Sequence, residues 1–277
     1  MKHLQNKVII ITGATRGIGL AIALRAAADG AKIVVLGKTD EENPKLPGTI
    51  HTAASAIEAA GGEALPIACD IRFEDQVQLS FASAIEKFGG IDILVNNASA
   101  IFRAGTEGTP MSRFDLMYGV NGRGTFLCSK TAIPHLKQSS NPHILNISPP
   151  LSLTAKWFGP HVAYTMSKYA MSMCTLGMAC ELKEAGIAVN SLWPVTTIAT
   201  QAVKMLGGDE LMNRSRKPEI MADAAYLILT KPAAQNTGNF FLDEDVLASA
   251  GIEDLEQYAF APGHDLMPDI FVDRAAK

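Results

Sequence analysis

No segment of this sequence is long and apolar enough to span a membrane or to form the apolar part of a secretory signal. The opening run Val8–Ile11 stops at Thr12-Gly13, far short of the ~20 apolar residues a membrane helix needs, and reads as a short buried strand. Cysteine is scarce. The four present, Cys69, Cys128, Cys174 and Cys180, include no CxxC pair, which argues against a disulfide scaffold or a redox dithiol and fits free thiols in a reducing compartment. The six histidines show neither HxxxH nor HExxH spacing, so no metal site is expected. Basic excess is missing as well: 24 Lys and Arg against 28 Asp and Glu leave a net charge of −4, and no nucleic-acid partner is expected. The last residues, Arg274–Lys277, do not form a Ser-Lys-Leu peroxisomal signal. The simplest location is the cytoplasm, with mitochondrial or peroxisomal residence left open.

What is present is a composition of 48% hydrophobic and 19% charged residues, suited to a large core. Short Val- and Ile-rich runs alternate with Ala-rich stretches of helical period. Strands are expected at Val8–Thr12, Ile33–Leu36, Ala64–Ala68, Ile91–Val95, Ile144–Ile147, Ile187–Leu192 and Asn239–Leu242. Helices are expected at Ile18–Asp29, Thr52–Ala60, Asp75–Phe88, Val120–Lys137 and Tyr164–Ala185. Strands apolar along their whole length are buried on both faces, as in a parallel sheet covered by helices. The pattern predicts an α/β protein: a three-layer Rossmann fold with a doubly wound parallel sheet of about seven strands. With no repeat, low-complexity tract or linker, residues 1–277 read as one domain. Thr39–Thr49, with Pro44, Pro47 and Gly48, reads as a loop. The less regular stretch from about Gly251 reads as a C-terminal arm on the body or on a neighbouring subunit.

The first strand runs into Gly13-Ala14-Thr15-Arg16-Gly17-Ile18-Gly19 and then a helix. Glycine belongs where backbone must turn tightly or approach a ligand, and a helix N-terminus offers unpaired N–H groups and a positive dipole end to a pyrophosphate. The spacing is GxxxGxG, not GxGxxG. In this TGxxxGIG form the sequence resembles the short-chain dehydrogenase/reductase family, whose members move a hydride between a nicotinamide cofactor and an alcohol/carbonyl pair.

Cofactor choice is read at the end of the second strand, where a carboxylate favours NAD and cations favour NADP. Gly37-Lys38-Thr39 stands there, with Asp40 following only later, and Arg16 in the glycine turn is a second cation. NADP(H) is expected over NAD(H). The resemblance further implies that Asp70, in Cys69-Asp70-Ile71, meets the adenine. It also implies that Asn97 and Ala98 line the cofactor, with Ser99 replacing the family's glycine.

Tyr164-Thr-Met-Ser-Lys168 is a YxxxK pair. Residues four apart share a helix face. A phenol with an ordinary pKa near 10 is a poor base, and a neighbouring ammonium makes its anion more accessible, so Tyr164 can serve as general base in oxidation and general acid in reduction. The resemblance implies that Ser148 holds the substrate oxygen beside Tyr164 and that Asn121 completes a tetrad by positioning water against Lys168. Two departures stand out: Pro149-Pro150 follow Ser148, and the segment before Tyr164 is longer than usual and carries Trp157 and Phe158. That aromatic pair is expected to form an apolar substrate wall. After the sixth strand, Pro194 matches the family, Val195 replaces its glycine, and Thr196, Ile198 and Thr200 are implied to contact the cofactor, with the alignment open by one residue. Stretches such as Ala188–Pro194 and Pro262–Pro268 resemble one branch of the family whose animal members add a C-terminal sterol-carrier domain. This chain is expected to be a stand-alone dehydrogenase for a small apolar alcohol or carbonyl, assembled as a homodimer or homotetramer through the helices at Val120–Lys137 and Tyr164–Ala185, whose apolar faces equally suit core packing. The competing readings are a catalytically silent dinucleotide sensor or scaffold, and an epimerase or dehydratase on the same fold.

Overall fold

A computed structural model describes residues 3–43 and 47–273. Pro44 of the expected loop and the terminus Arg274–Lys277 lie outside the described residues. Seven strands, β1 (Val8–Thr12), β2 (Lys32–Gly37), β3 (Glu63–Ala68), β4 (Ile93–Asn96), β5 (His143–Asn146), β6 (Ala188–Trp193) and β7 (Phe240–Leu242), form one sheet in the order β3-β2-β1-β4-β5-β6-β7. Every neighbouring pair is parallel. The chain winds outward from β1 to β3, returns to β4, and winds the other way. The reversal between β1 and β4 opens a crevice beyond the carboxyl ends of those strands, where open α/β sheets bind ligands.

The strands sort their side chains by period two. Ile9 and Ile11 face a core shared with α1 (Gly17–Ala27), α2 (Ile50–Ala59), α8 (Glu219–Leu229) and α9 (Asp243–Ser249). Val8 and Ile10 face a second core with α3 (Glu74–Phe88), α5 (Thr125–Leu136) and α6 (Val162–Glu181). Both faces of β1 are fully covered, which is why its sequence is apolar without interruption.

The expected helix at Val120–Lys137 starts earlier. It begins as α4 (Met111–Met117), passes through a π-helical stretch, Tyr118–Gly124, and continues as α5. Gly122 falls inside the expected helix, and a Cβ on it would lie 3.0 Å from the Cβ of Ala170. Glycine there permits close approach to α6. Helices α7 (Gln201–Asn213), α8 and α9 were not expected from periodicity.

The arm returns to the body. Tyr258 and Leu255 join the first core, and the stretch from Met267 to Ile270 is strapped to the end of β6. The N–H of Thr197 donates to Met267 O (2.9 Å), that of Asp269 to Val195 O (2.8 Å) and the Trp193 indole to Ile270 O (2.9 Å). Phe271, 3% exposed, sits among Trp157, His161, Tyr164, Tyr169 and Trp193, with ring centroids 5.4 to 6.5 Å away. Its φ of 71° is a strained value for a non-glycine residue, held by this packing.

Candidate active site

A cavity of about 570 Å³ follows the carboxyl ends of β1, β2, β4 and β6, a size suited to a cofactor with substrate. At one end it meets Gly13, Thr15, Arg16, Gly17 and Ile18. The first turn of α1 opens here and no side chain caps it, so its N–H groups are available to an anion. Ala14 and Gly19 stand behind this surface rather than on it. Ala14 is fully buried, and a Cβ on Gly19 would meet Asn97 Nδ2 at 2.4 Å and Gly13 O at 2.6 Å. Glycine at position 19 thus lets the turn close onto Asn97, whose amide donates to Thr12 O (2.9 Å) and Gly13 O (3.0 Å).

Lys38, Asp70 and Ile71 line the next portion of the cavity. The Asp70 carboxylate is held by Arg72 (2.6 Å) and faces Lys38 (3.6 Å). Burial pushes its pKa up, but the Arg72 hydrogen bonds and the Lys38 charge outweigh it, and the net direction is down. Arg16 donates to Gly48 O (2.6 Å), Pro47 O (2.9 Å) and Thr39 Oγ1 (3.1 Å), which ties the loop after β2 to the glycine turn. Asn97, Ala98 and Ser99 continue the wall at the end of β4.

At the other end stand Tyr164 and Lys168 on α6, 5% and 2% exposed. The Lys168 ammonium donates to Ile147 O (2.7 Å), touches Met171 Sδ (3.1 Å) and lies 5.1 Å from the Trp193 ring centroid. None of these neighbours carries a negative charge, and burial pulls the Lys168 pKa down to about 7. Burial pushes the Tyr164 phenol above its ordinary value, Asp269 pushes the same way, and Arg103 opposes both.

Several expected site residues lie elsewhere. Ser148 is fully buried and is not part of the cavity wall. Its N–H closes on Asn146 O (2.9 Å), a tight turn fixed by the prolines that follow, and its hydroxyl meets Ser191 Oγ (2.8 Å). From there a buried polar chain runs through Thr175 and Asn146 to Asn96 and Ser129. Asn121, in the π-helical stretch, binds Ala100 through its carbonyl and amide and donates to Ser167 Oγ (2.9 Å). It braces α6 from behind. Pro194, Ile198 and Thr200 line the cavity, but at the uncertain position Thr197 does so while Thr196 is buried. The expected aromatic wall is also corrected. Trp157 packs on Phe271 and Phe158 on Tyr169, outside the cavity, and the apolar wall comes from Ile101, Leu116, Trp193, Met205, Leu206 and Leu211.

Sequence reasoning missed Arg103 and Asp269, both at the cavity wall. Neither belongs to a motif; only the folded arm brings Asp269 to Tyr164. Among the described residues no cluster of His, Cys, Asp and Glu is suited to hold a metal, and no helix is long and apolar enough to cross a membrane.

The short chain dehydrogenase family matches residues 7–210. Hydroxysteroid dehydrogenase-like protein 2 of Danio rerio is 60% identical over 270 residues, which are 98% of this chain and 65% of that protein. A short chain dehydrogenase structure from Mycobacterium thermoresistibile superposes with a TM-score of 0.93 at 55% identity, covering 98% of this chain and 96% of that one. A metagenomic short-chain oxidoreductase in complex with NADP gives a TM-score of 0.72 at 25% identity, covering 87% and 97%. The chain belongs to the short-chain dehydrogenase family, oxidoreductases that act on a CH–OH group with NAD(P). It spans about 65% of the length of the Danio rerio relative.

Proposed function

We propose that this chain interconverts a small apolar alcohol and its ketone or aldehyde with NADP(H), using Tyr164 as the proton donor and acceptor. One observation carries the reading: Tyr164 and Lys168 are buried together at one end of a cavity whose other end is the glycine turn and the uncapped start of α1. A dinucleotide fits this set of groups. Gly13 to Ile18 would hold the phosphates, and Asn97, Ala98, Thr197 and Ile198 would hold the nicotinamide half. When bound, the nicotinamide supplies or accepts a hydride at the substrate carbon.

The chain's own residues handle the rest. In reduction, the Tyr164 phenol gives its proton to the carbonyl oxygen as the carbon gains hydride; in oxidation it removes that proton from the alcohol. Lys168, held by Ile147 O, lowers the cost of the phenolate by its charge. Preference for NADP rests on Lys38, 57% exposed at the end of β2, and on Arg16 beside it. The nearest acid in sequence after β2, Asp40, is exposed and paired with His51 at 2.7 Å. Preference for an apolar substrate rests on Ile101, Leu116, Leu206 and Leu211 over the reactive end. The free thiols of Cys69 and Cys128 suit the cytoplasm. Exposed Phe126 on α5 and Met166, Met173 and Leu176 on α6 suit burial against a second copy in a dimer or tetramer.

The test is an NADPH fluorescence titration followed by turnover on a panel of aliphatic, terpenoid and steroid carbonyls, with the natural chain and Tyr164→Phe. The proposal expects both to bind NADPH and only the natural chain to turn over at full rate, with Tyr164→Phe slower by roughly 10²–10⁴. Binding without turnover by either chain on the whole panel favours the silent sensor.

A further inference from the structure

The C-terminal arm puts an acid into the catalytic end of the cavity. Asp269 lies beyond the family-matched residues 7–210, yet it lines the same cavity as Tyr164, Lys168 and Arg103. Its place is fixed on both sides. The Asp269 N–H donates to Val195 O (2.8 Å), the Ile270 N–H donates to Asp269 Oδ1 (2.7 Å), and the next residue is the buried Phe271 packed against Tyr164. The arm also pairs with the strand end through Thr196 and Pro268. This is a half-buried carboxyl whose backbone is clamped in place.

Lys168 needs such a group. Its contacts are a carbonyl, a thioether and an indole face. A buried ammonium with only uncharged neighbours loses its proton unless an anion stands within electrostatic reach.

We propose that Asp269 is a positioning residue for the Tyr164–Lys168 pair: its carboxylate, delivered by the arm, is the counter-charge that keeps the Lys168 ammonium protonated and the Tyr164 phenol in its proton-carrying form. It acts across the cavity, since no ion pair within 4.0 Å joins it to Lys168 among the described residues. Asp269 shares the cavity wall with Tyr164 and Lys168 of α6 and with Arg103 of the loop after β4, and the charge of Asp243, at the start of α9, also bears on it. The directions agree with this role. Asp269 raises both Tyr164 and Lys168, while its own carboxyl is pushed up to about 7, chiefly by burial, with Arg103 and Lys168 opposing. A carboxylate here disfavours the phenolate and so suits proton donation, the reductive direction. The arm thereby sets the protonation of the site and also closes its wall.

The inference rests on Tyr164 and Lys168 being the proton-handling pair, but its test needs neither substrate nor nucleotide. Lysine side chains labelled with ¹³C at Cε are titrated by NMR in the full chain. One lysine is expected to titrate near 7, apart from the others, and Lys168→Met assigns it by removing its signal. Asp269→Asn, which keeps an oxygen for the Ile270 N–H, shifts that midpoint down; Asp269→Glu restores it in part. Asp269→Ser, neutral and still able to accept from the Ile270 N–H, shifts that midpoint down in the same way. It serves as the independent test if Asp269→Asn does not fold. A Lys168 midpoint unmoved in Asp269→Asn, or unmoved in Asp269→Ser where that variant stands in, overturns the proposal. Failure of turnover on every carbonyl leaves this titration unaffected, so the two readings fail separately.

Discussion

Replacing Lys168 by methionine should make the protein more stable in mild acid and less stable in strong alkali. Lys168 is 2% exposed, and burial moves its midpoint from 10.5 to about 7. That displacement corresponds to about 5 kcal/mol against the charged form. The folded pKa lies below the unfolded one, so between about 7 and 10.5 the unfolded chain holds the extra proton. Stability therefore rises with pH across that window, by at most ~1.4 kcal/mol per pH unit, and the full penalty is present below it. Methionine removes the penalty but leaves Ile147 O without the 2.7 Å hydrogen bond from Lys168, a loss of about 1–3 kcal/mol. At pH 6 the variant should gain about 2–4 kcal/mol over the natural chain; above the unfolded lysine's midpoint it should lose about 1–3 kcal/mol. Urea unfolding of both chains across this range measures the difference directly. Two stability curves that stay parallel would show that Lys168 does not change its proton affinity on folding, and the reasoning would be refuted.

Three further outcomes follow from named contacts. Gly19→Ala places a methyl 2.4 Å from Asn97 Nδ2 and 2.6 Å from Gly13 O; thermal unfolding should show a loss of about 1–3 kcal/mol, and an unchanged Tm would mean the turn can open. Phe271→Ala removes the ring that joins Trp157, Tyr164, Tyr169 and Trp193. It should cost about 3–5 kcal/mol and expose the arm to limited proteolysis, whereas resistance equal to the natural chain would deny that Phe271 pins it. Lys38→Asp puts a carboxylate at the end of β2, where NAD is favoured. NADP should weaken by roughly tenfold or more, as for loss of a charged hydrogen bond, while NAD does not; equal losses by calorimetry would argue against Lys38 as the selector.

The centre of the sheet was legible because β1, β2, β4, β5 and β6 are buried along nearly their whole length. A run such as Val8–Thr12 has no polar alternation to confuse it, and the expected strand matches β1 residue for residue. Helix α7 was hidden because Gly207-Gly208 interrupts its pattern and Gly208 takes a non-helical φ of 62°. Helix α8 is apolar on most sides and mostly buried, so no polar face marked its period. The glycine turn and the YxxxK pair were readable because their spacing is local. Ser148 was not, since its hydroxyl direction depends on a turn against Asn146 and on Ser191 from a distant strand. Trp157 and Phe158 were read as a substrate wall, because the rings that draw them away from the cavity, Phe271 for Trp157 and Tyr169 for Phe158, meet them only in the folded chain, Phe271 from more than a hundred positions on. Asp269 was invisible for the same reason: its chemistry arises only once the arm has folded back onto β6.

The account stands on a tyrosine phenol and a bound nicotinamide sharing one space in this cavity, and a crystal structure of the chain with NADP measures that most directly. The prediction is density for the phosphates against the first turn of α1, and a nicotinamide C4 and Tyr164 hydroxyl placed so that a carbonyl can lie within roughly 3–3.5 Å of both. A nicotinamide seated elsewhere, or a Tyr164 hydroxyl turned from it into the protein, would contradict the account.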